Sequence, residues 1–177
     1  MQAIPRLETD RLVLRGWTEA DFAPLSAFYS DEECARFVGG VSQPWEVWRR
    51  MASFIGHWHL RGFGKFAQED KVSGNFAGYC GPWFPEGWPE PEIGWALMPE
   101  FQGKGLMIEA ANRCLSYVYD ELGWSTAISL IDPDNAASRR VAERLGAQFE
   151  ARQPVCFFTA DIYRHRSPQE FRIALNS

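Results

Sequence analysis

The sequence predicts an α/β fold, one mixed sheet with helices packed on it. Three observations carry this expectation. Residues 126–131, "TAISLI", form a continuous apolar run of strand length, the mark of a strand buried on both faces. Two segments, near 44–60 and 105–122, repeat apolar residues at helical spacing. The order of elements is β, α, α, a run of strands, then β-α-β-α-β-β, with no repeat, linker or low-complexity stretch between them.

Along the chain, "RLVLR" (11–15) alternates polar and apolar residues and reads as a strand. Thr18, with Asp21 three residues on, is an imperfect capping box for a helix ending near Ser30. "GGVSQP" (39–44) is a loop, and Pro44 suits a first helical turn. Trp45, Trp48, Met51, Ile55 and Trp58 follow at helical spacing. "GKFAQED" (64–70) and "KVSGNFAGYCG" (71–81) read as two strands joined by a tight turn, and 82–92 as a proline-dense loop. "EIGWALM" (92–98) is a strand stopped by Pro99. The next helix places Met107, Ala111, Leu115, Val118 and Leu122 on one face. "DPDN" (132–135) opens a further helix that stops at Gly146, a residue suited to the left-handed position after a helix. "AQFEARQ" (147–153) and "VCFFTADIYRH" (155–165) close the chain as strands.

A length of 177 residues suggests one domain, 1–177. The net charge of −5 argues against a basic nucleic-acid surface and mildly favours a cationic partner. Cys34, Cys80, Cys114 and Cys156 are far apart with no Cys-x-x-Cys, which reads as reduced, mostly buried thiols. The first residues carry charges throughout and no apolar signal core, and no apolar run approaches the ~18 residues of a membrane span. A soluble cytoplasmic protein is the expectation. His57 and His59 point to different faces of their helix and have no carboxylate–histidine cluster nearby, so no metal site is expected.

The segment "PEFQGKGLMIEAA" (99–111) lies between a strand and a helix. A helix start presents unpartnered N–H groups and partial positive charge, and preceding glycines let a ligand approach the backbone. Gly103-Lys104-Gly105 could therefore cradle a phosphate, or could be a plain strand-to-helix turn. The Rossmann and P-loop fingerprints are both broken: Ile108 stands at the third glycine position, and no Gly-Lys-Ser/Thr occurs there.

"EIGWALMPEFQGKGLMIEAANRCLSYVYDELGW" followed by "ISLIDPDNAASRRVAERLGAQFE" resembles the Gcn5-related N-acetyltransferases (GNAT). The subgroup it is most similar to includes the N-terminal acetyltransferases of ribosomal proteins. "IPRLETDRLVLRGWTEADF" and "DIYRH" resemble how that subgroup begins and ends, so the likeness covers nearly the whole chain. It implies a mostly antiparallel mixed sheet of about six to seven strands flanked by about four helices.

The resemblance further implies acetyl-coenzyme A as co-substrate. Its pyrophosphate would lie on Gln102, Gly103, Lys104, Gly105, Leu106 and Met107, with Met107 standing where Gly or Ala is usual. Its pantetheine arm would run along main-chain groups of Leu97 and Met98, a backbone N–H near Met98 would face the developing oxyanion, and Asn135 would hold an amide. Asn135 is equally a helix cap. Ser138 would reach the thioester sulfur; many members place a Tyr four residues further on to protonate the departing thiolate, and since Ala142 stands there, either Ser138 or solvent takes that role.

The implied reaction is attack of an amine on the thioester, which needs a base. Glu92 is the leading candidate and Asp161 a weaker one. Trp45, Trp48, Trp83, Glu86 and Trp88 are the expected acceptor-binding residues, and Glu86 and Glu90 tilt the expectation toward cationic acceptors. Arg139 or Arg140 could meet the coenzyme's 3′-phosphate. The acceptor is a small-molecule or peptide amine, and dimers are common in the subgroup. The rival reading is a non-catalytic acyl-coenzyme A-binding module of the same fold.

Overall fold

The computed structural model describes residues 4–176. The first three residues of the segment read for a leader, and Ser177, lie outside the described residues. The elements are β1 (Leu7–Glu8), β2 (Leu12–Arg15), α1 (Phe22–Ser30), α2 (Glu32–Ala35), α3 (Pro44–Arg61), β3 (Phe66–Asp70), β4 (Phe76–Trp83), β5 (Glu92–Leu97), α4 (Leu106–Asp120), β6 (Ile128–Ile131), α5 (Ala136–Arg144), β7 (Gln148–Val155), β8 (Phe158–Arg164) and α6 (Pro168–Leu175). Among the described residues, eight strands and six helices thus exceed the expected number. β1 and α2 are too short to show a period. α6 did leave a signal, the capping box in which Ser167 N–H donates to Glu170 2.9 Å away, with Pro168 at the first turn.

The sheet order is β1-β2-β3-β4-β5-β6-β8-β7. Every neighbouring pair is antiparallel except β5 and β6, which run parallel because α4 carries the chain across between them. That parallel pair is in register only at Glu92 and Ile128, and beyond it the strands part. Side chains cover the polar groups freed at this fork. Ser129 Oγ donates to the Ile93 carbonyl at 2.7 Å, and the Leu130 N–H donates to Glu92 Oε2 at 3.3 Å.

Residues alternate between the two faces of the sheet. On one face α4 buries Leu106, Met107, Ala110, Ala111, Cys114, Leu115 and Val118 with Phe66, Cys80 and Ile93. On the other, α1 and α3 bury Leu25, Phe28, Tyr29, Val47, Met51 and Phe54 with Trp17, Ala67, Tyr79 and Ala96. Each large apolar side chain so buried contributes about 1.5–3 kcal/mol. α3 spans nearly the expected residues but turns a different stripe inward. Val47, Met51, Phe54, His57 and Trp58 are buried, whereas Trp45, Trp48 and Ile55 are exposed. Both stripes have helical spacing; the rings of Trp17 and Tyr79, 5.2 Å from Phe54, select between them. Gly78, at φ +136° beside a β-bulge, lets β4 close on β5, since a Cβ there would collide with the Ala96 carbonyl.

Cys80 and Cys114 are buried, Cys34 is partly buried and Cys156 is exposed at the turn between β7 and β8; all four are free thiols. That turn interrupts what the sequence suggests is one strand over 155–165. Among the described residues no helix is long and apolar enough to cross a membrane.

His165 is buried behind the fork. Ser129 Oγ already donates to Ile93, so His165 Nε2, 2.9 Å away, donates to it. Burial without a countercharge lowers the imidazole pKa to about 4. The unfolded chain therefore binds a proton near pH 6.5 that the folded chain refuses until about pH 4, and stability falls as pH drops through this window. Urea melts at pH 6.5 and pH 5 are expected to show the wild type losing about 2 kcal/mol more than His165→Gln. Equal losses would disprove this account of the pH dependence.

Candidate active site

The 99–105 segment is held in a defined shape. Gly103 and Gly105 sit at φ +73° and +78°, where other residues are strained. Arg11, at the entry to β2, donates from Nη1 to the Lys104 carbonyl at 2.9 Å. Its Nε donates to Glu109 on the first turn of α4 at 2.7 Å, and its main-chain N–H donates to the other oxygen of the same carboxylate at 2.8 Å. Gln102 Nε2 ties the loop to β5 by donating to the Leu97 carbonyl at 3.0 Å.

The first helical bond of α4 runs from Glu109 N–H to the Gly105 carbonyl. The N–H groups of Leu106, Met107 and Ile108 thus emerge from the helix start without helical partners. Met107 is 5% exposed and packs in the core. Its side chain leaves the loop's outer surface clear, which answers the difficulty posed by its departure from the family pattern. Lys104 is exposed beside the cradle, its ammonium 5.7 Å from the Phe101 ring centre.

The β5 edge that faces the fork follows from strand alternation. Met98 N–H donates to the Ala77 carbonyl of the β4 side at 2.9 Å, and the Met98 carbonyl accepts from Phe101 N–H at 3.0 Å. The Met98 N–H is thus engaged with the β4 side and does not offer the pantetheine contact expected of it. By alternation the groups of Ile93, Trp95 and Leu97 face the gap. The Ser129 and Gln102 bonds to the carbonyls of Ile93 and Leu97 agree with this. Main-chain polarity for a ligand in the gap therefore comes from Trp95 and the Leu97 N–H.

A cavity of about 660 Å³ lies at the fork, lined by residues of α3, β4, β5, β6 and the α5 start. Asn135 and Ser138 of the α5 start line it on the α4 side. Asn135 Oδ1 accepts the Ser138 N–H at 3.0 Å, which is the cap reading, and the Asn135 amide nitrogen has no bond in this arrangement. Ser138 Oγ accepts from Trp95 Nε1 at 3.3 Å, across the gap from β5. Ala142 is fully buried and supplies no polar group.

On the α3 side the cavity reaches Glu92, which is 6% exposed. Oε1 accepts from Trp88 Nε1 at 3.0 Å and Oε2 accepts from Leu130 N–H. Burial raises its proton affinity, and the charge of Lys65 and these two hydrogen bonds oppose that rise. The Lys65 Nζ and Glu92 Oε1 lie 3.2 and 3.3 Å from the point a Cβ on Gly94 would occupy, so they border one small space that this glycine keeps open. The Lys65 ammonium sits 5.0–5.4 Å from the ring centres of Trp83, Tyr79 and Phe54. Burial lowers its pKa, against the pull of Glu92.

Trp83 is held in turn by His57, stacked at 4.3 Å. His57 accepts Phe84 N–H at Nε2 (3.1 Å) and so donates from Nδ1 to the Phe63 carbonyl (2.6 Å). This is a structural role for His57.

The other expected residues lie elsewhere. Trp45 and Trp48 are 57% and 58% exposed on the outer side of α3, away from the cavity; Arg49 covers Trp45 at 4.7 Å. Their spacing fits a helix, but the inward stripe is rotated away from them. Glu86 is fully exposed, 3.9 Å from Arg61, and does not line the cavity. Glu90 is bound bidentately by Arg164 at 2.6 and 2.7 Å, and Asp161 by Arg152 at 2.6 and 3.0 Å. Trp83 and Trp88 do line the cavity.

Sequence reasoning missed Arg50, Lys65, Phe157 and Phe158 in the lining, and Arg11 behind the loop. Only Arg50 left a usable trace, lying four residues before the inward Phe54. Lys65 is a single lysine at a strand entry and looks solvated from sequence.

Chemically, an anion cradle follows the end of β5, and the buried carboxylate of Glu92 stands at the start of that strand, beside a cavity lined from both α3 and α5. That layout suits two reagents entering from opposite faces and reacting at the fork. Comparisons with known proteins bear on which reaction. A family model described as an acetyltransferase (GNAT) domain matches residues 11–148. An uncharacterised Bacillus subtilis protein, YkkB, is 32% identical over 159 residues, covering 84% of this chain and 88% of that one. The crystal structure of an acetyltransferase from Agrobacterium tumefaciens superposes with a TM-score of 0.86 at 29% identity, covering 94% and 96% of the two chains. The aminoglycoside acetyltransferase AAC(6′)-Ib, solved in complex with coenzyme A, shares the fold at a TM-score of 0.76 and 16% identity, covering 92% and 98%. The chain belongs to the GNAT family of acetyltransferases.

Proposed function

We propose that this protein transfers the acetyl group of acetyl-coenzyme A to a primary amine of a small molecule or peptide by direct attack on the thioester. The observation that carries the reading is the cavity at the fork, which brings Glu92 together with Asn135 and Ser138 of the α5 start. The residues fit the coenzyme. Nothing lies within 4 Å of where a Cβ of Gly103 would stand, and the N–H groups at the α4 start suit a pyrophosphate. Trp95 and the Leu97 N–H would bond the pantetheine arm, and Asn135 would offer its amide nitrogen.

The amine would enter from the α3 side and lose a proton toward Glu92, directly or through one water. Holding both substrates at the fork supplies much of the acceleration. A β5 edge N–H would meet the carbonyl oxygen as it becomes negative. Ser138, oriented by Trp95, would protonate the departing thiolate. The soluble amine partner, rather than nucleic acid or a membrane, agrees with the acidic charge, and the free thiols agree with a reducing cytoplasm.

Glu92→Gln is expected to lower kcat/KM at neutral pH by about 10²-fold or more, measured by thiol release, while Glu86→Gln changes it little. In the wild type the acid limb of kcat/KM should fall above the ordinary carboxylate value of 4.5, as burial of Glu92 dictates, and should vanish in Glu92→Gln. An equal effect of both substitutions would remove Glu92 as base.

Ser138→Ala should reduce kcat with little change in KM for acetyl-coenzyme A. An unchanged kcat across pH would assign thiolate protonation to solvent.

Met107→Ala should cost about 2–5 kcal/mol of stability and leave coenzyme A affinity nearly intact. Gly105→Ala, strained at positive φ, should cost about 1 kcal/mol of stability and in addition weaken coenzyme A binding. Calorimetric titration and urea melts separate the two; a large loss of coenzyme affinity in Met107→Ala would contradict the core position of that side chain.

A further inference from the structure

Three cations, Arg36, Arg50 and Lys65, line the cavity together with two carboxylates, Glu92 and Asp132. No described carboxylate lies within 4.0 Å of any of the three. Elsewhere the chain pairs its sheltered arginines closely. Arg15 meets Asp21 and Glu69 at 2.8 Å, and Arg164 meets Glu90 and Glu150 at 2.6 Å. Cations left without a close carboxylate in a cavity point to an anion that arrives from outside.

Arg50 makes the case most sharply. Its guanidinium stacks 4.4 Å over the Tyr29 ring, and Nη1 donates to the Val38 carbonyl at 3.2 Å. Its Nε is buried and has no partner. Gly39 approaches the guanidinium without a side chain, since a Cβ there would stand 2.9 Å from Nη2. The Arg50 and Lys65 charges are close enough for each to act on the other. The aromatic cage of Phe54, Tyr79 and Trp83, which would attract a cationic acceptor, already holds the Lys65 ammonium. A second ammonium on the acceptor would meet two like charges there.

Building on the acetyl-transfer reading, we propose that the acceptor is a small amine that also carries a carboxylate or phosphate, its anion seated on Arg50 and Lys65 and its amine facing Glu92. Lys65 and Glu92 border the same space over Gly94, so the two ends of the acceptor are only a few atoms apart, as in an amino acid or an aminoalkyl phosphate. The reaction forms the N–C bond to the acetyl carbon and breaks the C–S bond. One amine proton goes to Glu92 and on to solvent, and the thiolate takes a proton from Ser138 or water. This reverses the tilt toward cationic acceptors that Glu86 and Glu90 suggested, because neither faces the cavity.

The test uses matched pairs in saturating coenzyme A or acetyl-coenzyme A: L-amino acids against their amides, phosphoethanolamine against ethanolamine, and putrescine. Binding is read by thermal shift and calorimetry, turnover by thiol release. The anionic member of at least one pair should bind, and be used, at least tenfold better, and which pair does so identifies the anion. The amide amine is the less basic of its pair, so intrinsic reactivity works against this result. Arg50→Gln and Lys65→Met should each erase the preference, mainly through KM, while the coenzyme A thermal shift shows that each variant is folded. Equal or better binding of amides, ethanolamine or putrescine overturns the proposal, as does a preference that survives both substitutions. Selective binding of the anionic members with no acetylation of any amine would sink the acetyl-transfer reading and leave the anion seat standing.

Discussion

The structure depends on the place where β5 and β6 stop being a sheet. Two parallel strands share one register pair, Glu92 with Ile128, and then diverge. Separating strands inside a protein exposes main-chain donors and acceptors that cost free energy if left unmet. Here side chains meet some of them: Ser129 takes the Ile93 carbonyl, Gln102 the Leu97 carbonyl and Glu92 the Leu130 N–H. Of the polar edge that remains, at Trp95 and the Leu97 N–H, Trp95 lines the cavity. The same opening thus leaves main-chain binding groups beside a cavity lined from both faces of the sheet.

Glu92 belongs to both sides of this arrangement. It braces the fork through Leu130 and faces the acceptor end of the cavity. Its burial raises its affinity for a proton, and Lys65 limits that rise. The neighbouring lysine is kept in an aromatic cage whose Trp83 wall is stacked on His57, which is itself fixed by hydrogen bonds to two loop residues. The charge near the base is therefore set by packing several residues away.

Much of the fold was legible. The seven strands read from the sequence all occur, and the helices fall near their expected limits, because apolar periodicity and Gly/Pro punctuation act locally. The misreadings have a shared cause. On α3, two stripes satisfied helical spacing, and the facing sheet chose Val47, Met51 and Phe54 over Trp45 and Trp48. On β5, Met98 was assigned polar contacts that alternation directs toward β4. Glu86 and Glu90 were adjacent to the right tryptophans in sequence, yet one faces solvent and the other Arg164.

What the sequence by itself determined was local: the strand–Gly103-Lys104-Gly105–helix unit, the Asn135 cap, the strand beginning at Glu92, and through their order the family. A left-handed glycine, a cap and a periodic stripe are each settled by a few neighbouring residues. The tertiary structure alone decided that Met107 turns into the core, that Arg11 braces the loop from 93 residues away, and that Arg50, Lys65 and Glu92 share one cavity. Those three come from a helix, a strand entry and a strand on different parts of the chain. Their meeting depends on which face each element turns to the sheet, and that is fixed only when all of them pack.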